Sequence, residues 1–416
     1  MGAWYHAVRN RPAGIQQGRT MIAQNIPDTT PPVIALDGPS ALALYRDRSA
    51  ITKDEEGEDT PDDYYLEEAD WITDEDVAAT LAAESAFGHR AFAEEYQSER
   101  EGQEGWGRRE LMPLTRSRAR QLSGCASRSQ DLKRLPYEKL GICPPCQASP
   151  LFILVPDRDA KRRVRNVRQR ACTHMVPSNS LRWLGSQVLV PSPELTFLLL
   201  AQHLSVEELI AVGMELCGRY RMAGATTSDL LHSQSTAYDC DPLTSPRKIA
   251  GLIERAESFP GKLKARRACK YVEANSASPM ETVLYSLLCL PRHIGGYGLP
   301  RPILNAKRAV NEHAGAFTFA HTLVPDLYWP AAMLDMEYDS DEFHANPESL
   351  RAGARRTLAL RAMNVDVIAM TYDTVNDAEA FHEVARLVAR KLCKRFYKDD
   401  TTVQKKREAL RACLLR

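Results

Sequence analysis

The chain has 416 residues, 44% of them hydrophobic, and its 54 Lys and Arg are balanced by 54 Asp and Glu. That length allows two or three domains with sizeable cores, and the neutral balance excludes a global basic field that would by itself advertise nucleic acid. No apolar run reaches the length of a membrane span, residues 1–20 lack the apolar core of a secretion signal, and the ten cysteines form no disulfide-like framework. A cytoplasmic protein with reduced thiols is therefore expected.

Residues 1–108 read as a largely disordered N-terminal region. Residues 1–35 are irregular, with Pro27, Pro31 and Pro32, and Ser40 is placed to cap a short helix through Arg46. Charge then segregates: residues 54–76 hold 13 acidic residues and no Lys or Arg. Such a stretch has too little apolar content per charge to order itself, and it reads as an acidic linker in which Tyr64, Tyr65, Leu66 and Trp71 could dock.

Residues 109–225 read as a smaller α+β domain. The apolar run 151–155 is a buried strand. Residues 161–170 carry six basic residues in ten, Arg162 and Arg163 among them; this is either a patch for an anionic partner or a solvated loop. A second strand falls near residues 187–190. Ser192-Pro193-Glu194 then starts an apolar helix through His203, and Ser205 with Glu208 makes a capping box for a helix that stops near Leu216, before Gly218. Cys143-Pro144-Pro145-Cys146 is a lone CxxC; zinc would need two more ligands, from Cys125, Cys172 or His174, and an incidental pair is the alternative. Residues 226–275 read as linker and helix, with 226–246 rich in Ser, Thr and Asp.

Residues 276–400 change character, and 401–416 follow as a basic tail. Ser278 opens a helix to Leu290, with Glu281 three positions on as the second half of a capping box. Gly295-Gly296-Tyr297-Gly298 reads as a turn. The run 324–329 carries Asp326, and Pro330-Ala331-Ala332 is short enough to fold it back as a hairpin. Residues 333–339 alternate: Leu334, Met336 and Tyr338 face one way, Asp335, Glu337 and Asp339 the other. Three carboxylates on one strand face repel unless something positive sits among them. A divalent cation is the simplest such partner, and oxygen ligands from adjacent strands suit magnesium or manganese. His344 follows. Asn346 and Pro347 start a helix to about Met363 that carries Arg351, Arg355 and Arg356; then come a strand at 365–371 and an amphipathic helix at 377–396.

Each of these residues also has a plainer reading. Glu281 could serve only as a cap, the acidic row as a solvated strand face, His344 as a surface or capping histidine, and the arginines as an exposed helix face. Arg351 and Arg355, four apart, could together track a phosphate.

With Asp326, the Glu337-Tyr338-Asp339-Ser340 run, His344 and the Arg355-Arg356 helix in view, residues 276–396 resemble the PD-(D/E)XK nucleases. Within them they are most similar to the branch related to very-short-patch-repair endonucleases. The resemblance implies a restriction-endonuclease-like α/β fold and hydrolysis of DNA phosphodiesters with Mg2+ or Mn2+. It implies Asp326 and Glu337 as metal ligands, Glu281 as the helix carboxylate completing the site, and His344 as acid or base near the phosphate. Asp339 stands where the motif lysine would be and belongs to the same catalytic cluster, and Gly353 stands where relatives often carry an acidic residue.

Residues 109–222 are similar to the antitoxin of the type IV abortive-infection (AbiE) system, on the strand, basic stretch, strand and capped helix described above. That likeness implies a cognate toxin or other protein partner besides DNA, in a setting of bacterial defence. The competing reading is a non-catalytic, antitoxin-like or transcription-regulatory binding protein that carries a decayed nuclease fold.

Overall fold

The computed structural model describes residues 34–55, 111–113, 122, 125, 128–140, 142–184, 188–223, 227, 229–231, 233, 235–339 and 347–415. Two mixed sheets organise them. The first has six strands: β1 (Ile34–Leu36), β2 (Leu111–Pro113), β3 (Leu151–Val155), β4 (Val167–Ala171), β5 (Leu181–Leu184) and β6 (Val188–Pro191), in the order β2-β5-β6-β1-β3-β4. Between β6, to which it is parallel, and β3, to which it is antiparallel, β1 lies at the centre of the sheet.

That position corrects the reading of residues 34–55 alone, which the sequence placed in a largely disordered region. Ile34 and Leu36 enter one apolar cluster and Ala35 the other, as the two-residue period of a strand requires. The helix that follows, α1 (Gly38–Glu55), starts two residues before Ser40. Asp37 heads it, with Oδ1 accepting from Gly38 N at 2.6 Å, while Ser40 Oγ accepts from Phe152 N of β3 at 2.8 Å. Ser40 therefore fastens the helix to the sheet and does not cap it. The acidic residues 56–76 lie outside the described residues.

The basic stretch is the loop between β3 and β4 together with β4 itself, a polar edge strand parallel to β3. A short helix, α2 (Ser129–Lys133), sends Leu132 into the same cluster as Ile34, Leu36 and Ile153. The two capped helices form as expected. In α3 (Pro193–Leu200) Ser192 Oγ accepts from Leu195 N at 3.3 Å, although the helix ends three residues before His203. In α4 (Val206–Leu216) the capping box is complete: Ser205 Oγ accepts from Glu208 N at 3.2 Å, and Glu208 Oε2 from Ser205 N at 2.7 Å.

Residues 226–246 are no free tether. Arg221 and Ala237 exchange backbone hydrogen bonds of 2.8 and 2.9 Å, and Thr227, Leu230 and Cys240 are buried. The Ser-rich composition serves side chain-to-backbone bonds, such as Ser233 Oγ donating to Ser235 O at 2.7 Å. Two helices follow, α5 (Pro246–Arg255) and α6 (Lys262–Cys269), and then α7 (Pro279–Cys289), buried along nearly its whole length. The glycine turn after α7 satisfies its last carbonyls, with Tyr297 N donating to Leu287 O and Gly298 N to Leu290 O.

The second sheet comprises β7 (Ile303–Leu304), β10 (Leu327–Trp329), β11 (Leu334–Tyr338) and β12 (Asp366–Met370), in the order β12-β11-β10-β7. A ribbon of β8 (Arg308–Ala309) and β9 (Thr322–Leu323) stands between β7 and β10 in the chain, with α8 (Glu312–Gly315) at its tip. The first three sheet strands form an antiparallel meander, and β12 returns parallel to β11 after α9 (Pro347–Ala362). The chain ends in α10 (Tyr372–Asn376), α11 (Ala378–Lys391) and α12 (Thr401–Leu414). On α11, Phe381, Ala385 and Val388 are buried as the pattern predicted.

The basic tail is itself helical. Arg407 of α12 is only 8% exposed, lies 3.6 Å over the Tyr297 ring and pairs with Asp399. One apolar cluster runs through Leu189, Leu209, Tyr285, Met336, Val388 and Leu410, so both sheets share a core, and Pro32–Arg416 make one compact unit. The structure is thus mixed α/β throughout. Among the described residues no helix is long and apolar enough to cross a membrane.

Candidate acidic site

The β10–β11 hairpin positions the acidic residues. Pairing of Leu327 with Met336 and of Trp329 with Leu334 fixes its register, and the turn is the single 3-10 turn Pro330–Ala332. Met333 closes it in the left-handed region, φ 46°. Extending the register by one residue brings Asp326 opposite Glu337. Asp326 Oδ2 accepts from Tyr338 N at 2.9 Å, which locks the carboxylate onto the neighbouring strand.

The alternation on β11 holds, and the acidic face is enclosed where a solvated one was the alternative. Leu334 and Met336 enter the apolar core, while on the other face Asp335 is 0% exposed and Glu337 9%. Asp339 lies just past the strand and is exposed.

Glu281 joins from α7. Ser278 Oγ accepts from Glu281 N at 3.1 Å, but the reciprocal half of the box is displaced by one residue, because Glu281 Oε2 accepts from Ala277 N at 2.8 Å. The same oxygen accepts from Asn305 Nδ2 at 2.5 Å. Asn305 sits after β7 with φ 52°, and its own N–H donates to Asp326 O at 3.0 Å. Asn305 therefore couples the helix carboxylate to the hairpin. Sequence reading missed it, although an Asn just past a short apolar strand is a common choice for the left-handed region.

The positive charge in this row belongs to Arg356. Its Nη1 lies 2.6 Å from Glu337 Oε2, its Nη2 donates to Glu337 Oε1 at 2.8 Å, and Nη2 lies 3.6 Å from Asp326 Oδ1. Nη2 also donates to Val324 O. Arg356 was read as part of an exposed face with Arg351 and Arg355; those two are exposed, but Arg356 turns inward.

Glu337, Asp326 and Asp335 act on one guanidinium, with Glu281 beside Asp326. Burial and the neighbouring Asp326 push Glu281 up to about 7. Burial raises Asp335 to about 6 and, with Asp326 and Asp335 beside it, Glu337 to about 11. Burial also raises Asp326, against the pull of Arg356. The Met336 N–H and the Glu337 carboxyl lie against the buried Asp335 carboxyl, although neither reaches it with full hydrogen-bond geometry. Its neighbour on the same strand face is the Glu337 carboxyl.

The remaining sequence candidates are placed as follows. Arg162 and Arg163 are exposed in the β3–β4 loop, on the other sheet. His344 lies outside the described residues. Cys143 and Cys146 are exposed thiols, and among the described residues the candidate ligands Cys125, Cys172 and His174 form no metal-holding group with them.

Carboxylate oxygens are the donors that magnesium and manganese prefer, but among the described residues no three His, Cys, Asp or Glu side chains are grouped so as to hold a metal ion. The guanidinium takes the role in the row that the sequence assigned to a cation. No family model, curated protein or solved structure matches the chain.

Proposed function

We propose that the protein is a DNA endonuclease that hydrolyses phosphodiesters with Mg2+ or Mn2+ at the Glu281–Asp326–Glu337 cluster. The observation that carries this reading is Asp326 opposite Glu337 on the hairpin, with Glu281 linked to Asp326 through Asn305, in a chain order of helix, antiparallel meander, helix and parallel strand. That order supports the resemblance to the restriction-endonuclease-like fold.

Asp326 and Glu337, with Glu281, would hold the ion, which when bound supplies charge neutralisation at a phosphate and activation of water. His344 acts as acid or base at the attacking or leaving oxygen, and Asp339 lends further negative charge at the exposed end of β11. Arg351 and Arg355 on α9 contact the DNA phosphates, and Arg162 and Arg163 add sequence-independent contacts from the β3–β4 loop. A setting in bacterial defence, with a cognate toxin or other protein partner, goes with the middle region's resemblance to the AbiE antitoxin.

One observation favours the second reading, a non-catalytic DNA- or protein-binding regulator. Arg356 already pairs with Glu337, so the acidic row serves structure without an ion. Plasmid nicking in Mg2+ or Mn2+ separates the two readings. The wild type should nick DNA. Glu337→Ala should abolish cleavage but retain DNA binding, and His344→Ala should slow cleavage by roughly two to four orders of magnitude. A folded wild type that cleaves neither single- nor double-stranded DNA with either metal decides for the regulator.

A further inference from the structure

A cavity of about 50 Å3 lies where α1, α4, α7 and α12 meet the segment 220–231. Half-buried Ala211, Met222, Leu231, Pro279 and Leu414 form its rim. Val212, Leu230 and Val283 give it buried apolar walls, and the buried polar residues Arg46, Glu215, Tyr220 and Thr282 lie at its base. Apolar walls around a few convergent polar groups are the usual make-up of a small-molecule site. At about 10–15 Å3 for each water-sized group, the space takes about three to five non-hydrogen atoms.

Most polar groups at the base are already engaged. Ser276 Oγ donates to Ser278 O at 3.1 Å, so Thr282 is the donor in its 2.8 Å contact with Ser276, and Tyr220 the donor in its 3.0 Å contact with Thr282. Both Glu215 oxygens are occupied as well, by Arg46 Nε and Nη2 and by Met222 N. Arg46 Nη2 also donates to Leu230 O at 2.7 Å. Arg46 Nη1, on a side chain 1% exposed, has no acceptor among the described residues. A buried charged donor in that state is costly. Arg221, buried beside Glu215, donates to the carbonyls of Glu215, Gly218, Tyr220 and Asp241, and so brings a second guanidinium to the same carboxylate. Asp47, which also draws on the charge of Arg46, is only half-buried. The base of the cavity is therefore positive and has an N–H to spare.

We infer that this cavity binds a short-chain carboxylate of the size of acetate or propionate, with a carboxylate oxygen on Arg46 Nη1 and the alkyl tail between Val212, Leu230 and Val283. The anion completes the guanidinium, whose Nε and Nη2 serve Glu215. A neutral carbonyl could accept the same N–H, but the charge-assisted bond is the stronger one. Phosphate and sulfate fit poorly, because their outer oxygens would face the apolar walls without donors. The bound carboxylate would touch elements from both ends of the chain, α1 and α12 among them, and so stabilise the fold as a whole. The site is separate from the acidic row: α7 turns Thr282 and Val283 to the cavity and Glu281 to Asn305.

Calorimetric titration of the full chain with sodium propionate tests this, with sodium chloride at matched ionic strength and propionamide as the neutral isostere. Thermal unfolding followed by circular dichroism accompanies each addition. The wild type should bind propionate saturably, at least about tenfold more tightly than propionamide, and its Tm should rise with propionate but not with chloride. Ala211→Leu extends a side chain at the half-buried rim and leaves Arg46 in place; it should fold and bind propionate at least about tenfold more weakly. Arg46→Met removes the donor and should abolish binding; should it fail to fold, Ala211→Leu decides alone. A wild type that takes up no propionate saturably, equal binding by Ala211→Leu, or propionamide bound as tightly as propionate overturns the inference.

Discussion

Replacing Glu215 with alanine strands a buried guanidinium. Arg46 on α1 and Glu215 on α4 have side chains 1% and 3% exposed. Glu215 accepts from Arg46 Nε at 2.8 Å, from Arg46 Nη2 at 2.6 Å and from Met222 N at 3.0 Å. Without the carboxylate, Arg46 keeps only its 2.7 Å bond to Leu230 O, and its Nη1 already lacks a partner. Removing one member of a buried ion pair costs about 3–5 kcal/mol, and the orphaned Met222 N–H places Glu215→Ala toward the upper end of that range. Arg46→Met should cost somewhat less, since Glu215 retains the Met222 bond. The double variant Arg46→Met/Glu215→Leu removes both charges and fills the space, and it should lie within about 2 kcal/mol of the wild type or exceed it. Chemical denaturation followed by circular dichroism and tryptophan fluorescence supplies the three values. A loss under about 1 kcal/mol for Glu215→Ala would mean that the pair is solvated, and would refute the placement of α1 inside the core.

Two further outcomes follow from the geometry. Asp37 is fully buried beside Arg170 and His203; burial pushes its carboxyl up, but His203 and Arg170 outweigh burial and hold it below the ordinary carboxylate range. A depressed folded value gives stability that is complete above the unfolded value and is lost as pH falls through the folded one. Asp37→Asn should therefore be destabilised at pH 7, with the difference from wild type shrinking as pH drops below about 3.8; a constant difference down to acid pH would refute the assignment. At Gly296 a Cβ would stand 2.0 Å from Leu290 O, a backbone atom at the end of α7. Gly296→Ala should lower stability by at least about 2 kcal/mol in the same denaturation assay, and a neutral result would show that the turn yields.

The parts of the fold that were legible in sequence carried a complete local signal. The β10–β11 hairpin combined an apolar–acidic alternation with a proline-led turn of fixed length, so Asp326 and Glu337 could be paired before their register was seen. The helices headed by Ser192, Ser205 and Ser278 each had a cap and an apolar run behind it. What was missed depends on distant partners. Three residues of β1 are too few for a period to show, and they become a central strand only because β3 and β6, more than a hundred residues later, flank them. The strand β4 reads Val-Arg-Gln-Arg-Ala because its outer edge is unpaired, so its charges masked it as loop. In α12 the charged composition suggested a tail, yet Arg407 is held under Tyr297 by its guanidinium face, a contact no helical pattern encodes.

The acidic row turned on a choice between two cations, and the sequence held a clue to it. Three carboxylates at two-residue spacing demand a positive neighbour, but repulsion alone does not say whether that neighbour is an ion from solvent or an arginine from the chain. The spacing on α9 does. Ala359, Leu360 and Met363 are the buried stripe that docks this helix on Ala314, Leu323 and Tyr328. Counting back three and four positions from Ala359 and Leu360 arrives at Arg356 from both, so Arg356 continues the inward stripe toward the N-terminus of the helix. Arg351 and Arg355 turn away from it and are exposed. An arginine extending an apolar stripe has to meet a carboxylate or remain buried and unpaired, and here it meets the acidic row on β11. The same geometry limits one guanidinium to two partners: it reaches Glu337 and approaches Asp326, while Asp335, two residues back on the strand, faces the Glu337 carboxyl.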